Sequence, residues 1–216
     1  MLLALKDEKV TVDSKAQFYP QIVAGAILSE LLLTNTTEVS PDKKQLVGIV
    51  KNAPTKNKVL NEALDKILSK NRPQPLKYWL NHIPRIPKLK NKIGQSLCEK
   101  GILDEVEVSA LWVFSLTRFP EANPKVEKAL IERLRDAIFN DSSKGDVRTA
   151  TLISLLKKTG ILDIPFSSKQ LKQRKERIES IAKDELISDA TAEDIQTIHA
   201  MVLITSAMPA IMVATG

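Results

Sequence analysis

Cysteine and histidine are almost missing from this chain. One cysteine, Cys98, among 216 residues excludes a disulfide framework and a cysteine-built zinc site. With only His82 and His199 besides, no metal-ligand cluster is visible, and neither a metal nor another cofactor is expected. Aromatic residues make up 4% of the chain, so base-stacking platforms are few and the core must be mainly aliphatic. Seven glycines are few for an all-β chain of this length, and none forms a phosphate-cradling loop. The catalytic signals are equally thin. The acidic pairs Asp7-Glu8, Asp184-Glu185 and Glu193-Asp194 are consecutive, so they point different ways and read as caps or solvated charge. Ser168 and Ser206 carry no local nucleophile motif, Cys98 reads as packing, and His199 as a hydrogen-bonded core histidine. The expectation is a binding protein and not an enzyme.

Long hydrophobic runs are also scarce. The apolar start, Met1 to Leu5, is too short for a signal peptide. Ile198 to Thr215 is nearly uncharged and long enough to pass for a membrane span. His199, Thr205 and Ser206 interrupt it, Pro209 breaks it, and Thr191 followed by Asp194 looks like a capped helix start upstream. A buried C-terminal helix is the better reading.

What is present centres on residues 22 to 33. Nine of these twelve are Ile, Val, Leu or Ala, and the polar pair Ser29 and Glu30 leaves only a narrow strip for water. A helix apolar nearly all round belongs inside a domain, and twelve residues rise only about 18 Å, too little to cross a bilayer. Amphipathic segments surround it in sequence. Glu38-Val39 and Leu46 to Val50 predict two short strands joined by a turn at Pro41-Asp42, and Val10 to Val12 another short strand. Val59, Leu60, Ala63, Leu64, Ile67 and Leu68 mark one face of a helix that Pro73 and Pro75 should end. Leu76, Trp79, Leu80 and Ile83 predict a short helix ending at Pro84, and Leu89, Ile93 and Leu97 another ending at Gly101. Val106 to Leu116 alternates with strand periodicity, and its middle, Leu111 to Phe114, is apolar on both sides. Asn123-Pro124 is a helix entry, followed by helical spacing from Val126 to Ile138 and again from Thr149 to Lys158. Ser168 to Ala182 is basic, with Leu171, Ile178 and Ile181 turned inward. Gly101-Ile-Leu-Asp104 and Gly160-Ile-Leu-Asp163 look like one helix-capping solution used twice, each glycine taking positive φ. No stretch reads as an interdomain linker, so residues 1–216 are expected to form a single domain.

Charge is distributed unevenly. The net charge is +6, yet residues 41–100 alone hold 14 Lys and Arg against 4 Asp and Glu. Such an excess is either a solvated lysine-rich surface or a face for an anionic partner: a membrane surface, a phosphorylated ligand or nucleic acid. Lys169 to Arg177 and the helix–Gly–strand units resemble winged-helix modules, which makes a nucleic-acid-binding protein the alternative reading. Against it, few aromatics are placed for stacking.

Several segments together resemble the Golgi phosphoprotein 3 family. They are Leu2 to Asp7, Ala26 to Leu33, Leu60 to Leu64, Leu97 to Leu103, the Trp112 to Pro124 strand and turn, Ile131 to Ile138, and Asp146 to Leu156. Each is weak alone, but they follow the family's order and spacing over nearly the whole chain. The resemblance implies a mainly α, single helical domain around a buried central helix, with a β-hairpin on one side. It implies a peripheral membrane protein, cytoplasmic and bound to phosphatidylinositol 4-phosphate or a similar headgroup. The family's basic N-terminal arm is not expected here, since the first motif begins at Leu2, and its coat-binding role is not carried over.

The family's headgroup site uses a Trp before the central helix, an Arg within it, and basic residues in the loop before the Asp146 helix. By ungapped spacing these positions fall at Lys15, Ala24, Lys144 and Val147, with Arg148 adjacent. Lys15, Lys144 and Arg148 are therefore the expected headgroup-binding residues. Ala24 cannot replace the planar fork of Arg, which puts 4-phosphate selectivity in doubt. The resemblance also gives Leu111, Trp112, Val113 and Phe114 to a hairpin that contacts membrane or mediates homo-oligomer formation. A hairpin apolar on both faces needs lipid, another chain, or cover from its own fold.

Overall fold

The computed structural model describes residues 19–110, 114–143, 146–182, 204, 205 and 207. The fold is mainly α-helical with short antiparallel strands. In chain order the elements are α1 (Tyr19–Leu33), β1 (Thr37–Val39), β2 (Leu46–Ile49), α2 (Lys58–Leu68), β3 (Gln74–Pro75), α3 (Leu76–His82), α4 (Leu89–Cys98), β4 (Val106–Ala110), β5 (Phe114–Arg118), α5 (Pro124–Phe139), α6 (Val147–Thr159), α7 (Ser168–Gln173) and α8 (Lys175–Ala182). Two 3-10 turns, Ile83–Arg85 and Ile161–Asp163, join their neighbours.

The apolar stretch forms α1. Val23, Ala24, Ile27, Leu28, Leu31 and Leu32 are all buried. The strip that meets solvent differs from the expected one. Ser29 is buried and its hydroxyl has no hydrogen-bond partner, whereas Ala26 is exposed and Glu30 half-buried, one turn apart on the same face. The helix closes at Asn35, in the left-handed region at φ 50°, with the Thr36 amide donating to the Leu31 carbonyl at 2.9 Å.

Two apolar clusters share the chain. The first packs α1 against α2, α3, the Ile83–Arg85 turn and β1–β2, with Trp79, Leu76, Leu80 and Ile83 almost fully enclosed. Ile204 is fully buried in it, and Ala207 packs at its edge, so the described part of the C-terminal stretch is helical and docked inside. The second gathers Leu134, Ala137 and Ile138 of α5, Ala150, Ile153 and Leu156 of α6, and Ile178 and Ile181 of α8. Ile22 touches both, and Leu155 of α6 crosses into the first.

The helix spacing holds, with three differences. Leu68, on the expected buried face of α2, is exposed, because α2 ends there under the Ser69 cap, four residues before Pro73. Pro84 does not stop the chain turning: it lies inside the 3-10 turn that continues α3. Gln74 and Pro75 form an unexpected third strand on β2, with Pro75 opposite Leu46 at the sheet edge, where a missing N–H is tolerated. The two capping glycines do take positive φ, 66° at Gly101 and 68° at Gly160. Their sequels diverge: Leu103 bridges Glu121 as extended chain, while Ile161–Asp163 coils into a 3-10 turn.

The alternating segment folds back on itself. β4 and β5 pair from Val106 opposite Arg118 to Ala110 opposite Phe114. The strand periodicity is thus shared by two paired strands, the hairpin that the resemblance implies, and the residues between them, Leu111, Trp112 and Val113, lie outside the described residues. At its base, Phe119 is buried against Gly94 of α4. A Cβ built on Gly94 would lie 2.6 Å from three ring carbons of Phe119, so this close approach needs glycine.

Candidate functional site

Of the three expected headgroup residues, Arg148 is described, in the first turn of α6. Asp146 caps that helix, accepting from the Thr149 amide at 3.0 Å and the Thr149 hydroxyl at 2.5 Å. Burial raises the Asp146 carboxyl, but the two Thr149 bonds, the nearby Arg133 charge and the Arg148 amide together hold it below its ordinary value of 3.8. In the first turn, Arg148 reaches across to α1 and ion-pairs with Glu30. Both side chains remain partly open to solvent, and an exposed pair of this kind is worth only about 0–1 kcal/mol.

The loop before α6 is fastened from behind. Arg174 donates through Nε to the Ile138 carbonyl at 3.1 Å and through Nη2 to the Phe139 carbonyl at 2.7 Å, and it pairs with Asp141 at 2.7 Å. Arg177 donates to the carbonyls of Ala137 at 2.9 Å, Asn140 at 2.7 Å and Ser143 at 3.0 Å. The last carbonyls of α5 have no partner within the helix, and two guanidinium groups at its negative end satisfy them. Asp136 completes the fastening by accepting from Ser143 at 2.6 Å and Asn140 at 2.8 Å, and these bonds lower its carboxyl below 3.8.

This clamp was missed by sequence reasoning. Lys169 to Arg177 reads as a solvated basic helix, yet Arg177 keeps only 13% of its side chain exposed. Two of its cations face backbone carbonyls of their own chain. That removes them from any phosphate-binding surface of the winged-helix kind.

Of the other expected residues, Lys15 and Lys144 lie outside the described residues, as do Leu111, Trp112 and Val113; Phe114 opens β5. Ala24 is fully buried, at 0% exposure. Among the described residues no group of three or more His, Cys, Asp or Glu is placed to hold a metal ion. None of the described helices is long and apolar enough to cross a membrane. Cys98 is partly exposed, and its thiol is pushed up by burial and by the nearby Glu105 and Asp104, the opposite of what an activated nucleophile needs.

The described residues thus build a mainly α-helical scaffold around one buried apolar helix, with a hairpin on its flank and Arg148 at the start of α6. The family is settled by comparison: a protein-family model described as Golgi phosphoprotein 3 (GPP34) matches residues 1–198. This chain belongs to the Golgi phosphoprotein 3 family.

Proposed function

We propose that this protein is a peripheral membrane-binding module that recognises an anionic lipid or another phosphorylated headgroup at the start of α6. The observation that carries the reading is Arg148, held beside a loop that Arg174 and Arg177 keep in one shape. Its present partner, Glu30, is held by a weak, partly exposed pair, so exchange for a multiply charged headgroup costs little. Lys15 and Lys144 are the further donors in this reading. With Ala24 buried, nothing on α1 supplies the fork that would choose one phosphate position. Recognition is therefore of anionic charge in general, with the lysine-rich 41–100 region adding about 1 kcal/mol per basic residue near the surface. Leu111 to Phe114 at the hairpin supply apolar contact, either with lipid or with a second copy.

Co-sedimentation with vesicles tests the proposal. Binding to vesicles containing anionic lipid at low salt, weakening as salt rises, is the expected result. No binding at low salt, even with phosphoinositide present, would sink it.

A further inference from the structure

A groove of about 620 Å³ runs along the uncovered face of α1, between α1, the start of α2 and α4. Val23, Ala26 and Ile27 form its floor, with Val59, Leu60, Ile93 and Leu97 as walls. Most of α1 is covered by the two cores, but Ala26 is exposed, and Ile93 and Leu97 are only half-buried. The mouth carries positive charge: Lys56 and Lys100 line it, and no ion pair engages either among the described residues. Its one acid, Glu30, is neutralised by Arg148. Thr34, Thr55, Asn57 and Ser96 add polar groups to the lining.

An apolar trough with ammonium groups at its mouth matches a molecule that is apolar along its length and anionic at one end. The volume lies within the roughly 300–1,000 Å³ common to small-molecule sites. From this we infer that the groove is a binding site for a single-chain anionic lipid, a long-chain fatty acid, whose alkyl chain lies on Ala26, Ile93 and Leu97 and whose carboxylate sits between Lys56 and Lys100. The groove adjoins the headgroup face through Glu30, which lines it and pairs with Arg148, so the two readings are told apart by variant: Ala26→Trp reports on the groove and Arg148→Glu on the headgroup face.

Isothermal titration of the full chain with palmitate, kept below its aggregation threshold, is the test. Saturable binding at one site is expected, with affinity rising about threefold to fourfold per methylene from shorter chains. Hexadecanol, lacking the charge, should bind about fivefold to tenfold more weakly. Ala26→Trp fills the trough from an exposed position and should abolish binding. The surface pair Lys56→Glu with Lys100→Glu should weaken it without touching the core. Circular dichroism on each variant separates loss of binding from loss of fold. The inference is overturned if the wild-type chain shows no saturable binding, or if both variants fold and bind palmitate as before. A concentration-dependent dimer that Ala26→Trp dissociates, in a chain that ignores palmitate, would overturn it in favour of a second copy.

Discussion

The two apolar cores are held in different ways. Around α1 the means is burial alone: Leu28, Leu31, Leu76, Trp79, Leu80 and Ile83 are enclosed by aliphatic neighbours. Between α5, α6 and α8 the apolar cluster is smaller, and polar groups seal its edge, where Arg174 and Arg177 bond six backbone carbonyls and the Asp141 carboxylate. Helix α6 divides the two, sending Leu155 to the first and Ile153 and Leu156 to the second. The lesson concerns position: the polar-sealed core carries the loop and the arginine of the proposed site, and the oily core carries the helix beneath it. Directional bonds fix a loop's shape, whereas apolar burial is non-directional.

The comparison can be broken by mutation. The largest effect is expected in the first core. Leu31→Ala removes a fully buried side chain from α1 and should cost about 2–5 kcal/mol, read by chemical denaturation. A loss below 1 kcal/mol would mean that α1 is not the pivot. In the second core, Arg177→Ala leaves four carbonyls without this donor and should cost about 1–3 kcal/mol. Arg177→Lys should recover only part of this, because an ammonium cannot span carbonyls on both sides of a planar fork. Full rescue by lysine would show that charge alone, and not geometry, seals this core. Outside both cores, Gly94→Ala should cost about 1–3 kcal/mol by forcing the Phe119 ring away. Pairing it with Phe119→Ala should make the two losses less than additive.

Acid separates the cores more gently. Asp136 and Asp146, both beside the clamped loop, are held below 3.8 in the folded chain. A lowered carboxyl stabilises the fold above its unfolded value, and that contribution is lost as pH falls through the folded value. Hydrogen exchange of the Asn140–Ser143 amides should therefore quicken below about pH 4, relative to amides of α1, beyond the intrinsic effect of pH on exchange. Equal protection of both regions down to that pH would contradict the account.

What was legible in the sequence follows the same division. Burial leaves a periodic trace, so α1, α2, α5 and α6 can be read from the spacing of Ile, Val and Leu, and caps such as Asn57, Asn123 and Asp146 sit where their residue types suggest. Strand β3 leaves none, since two residues ending in proline show no period. The hairpin comes from the family resemblance and not from the spacing, because Leu111 to Val113 hold no glycine or asparagine to mark a turn. Of the proposed site, Arg148 is named through the family resemblance, as the basic residue adjacent to Val147, and only the structure revealed its partner, Glu30, which lies 118 residues away. Arg174 and Arg177 could not be singled out from the basic run, because their targets are backbone carbonyls of residues 34 to 40 positions away. Backbone acceptors have no residue type to recognise.

The claim that matters most is that the α6 face meets anionic lipid, and one measurement addresses it directly. Vesicle co-sedimentation of the wild-type chain should be compared with that of a variant carrying both Lys144→Glu and Arg148→Glu, on phosphoinositide-containing vesicles at low salt. The account predicts that the wild type binds and that the folded variant binds at least about tenfold more weakly. Equal binding by the two folded chains would contradict it.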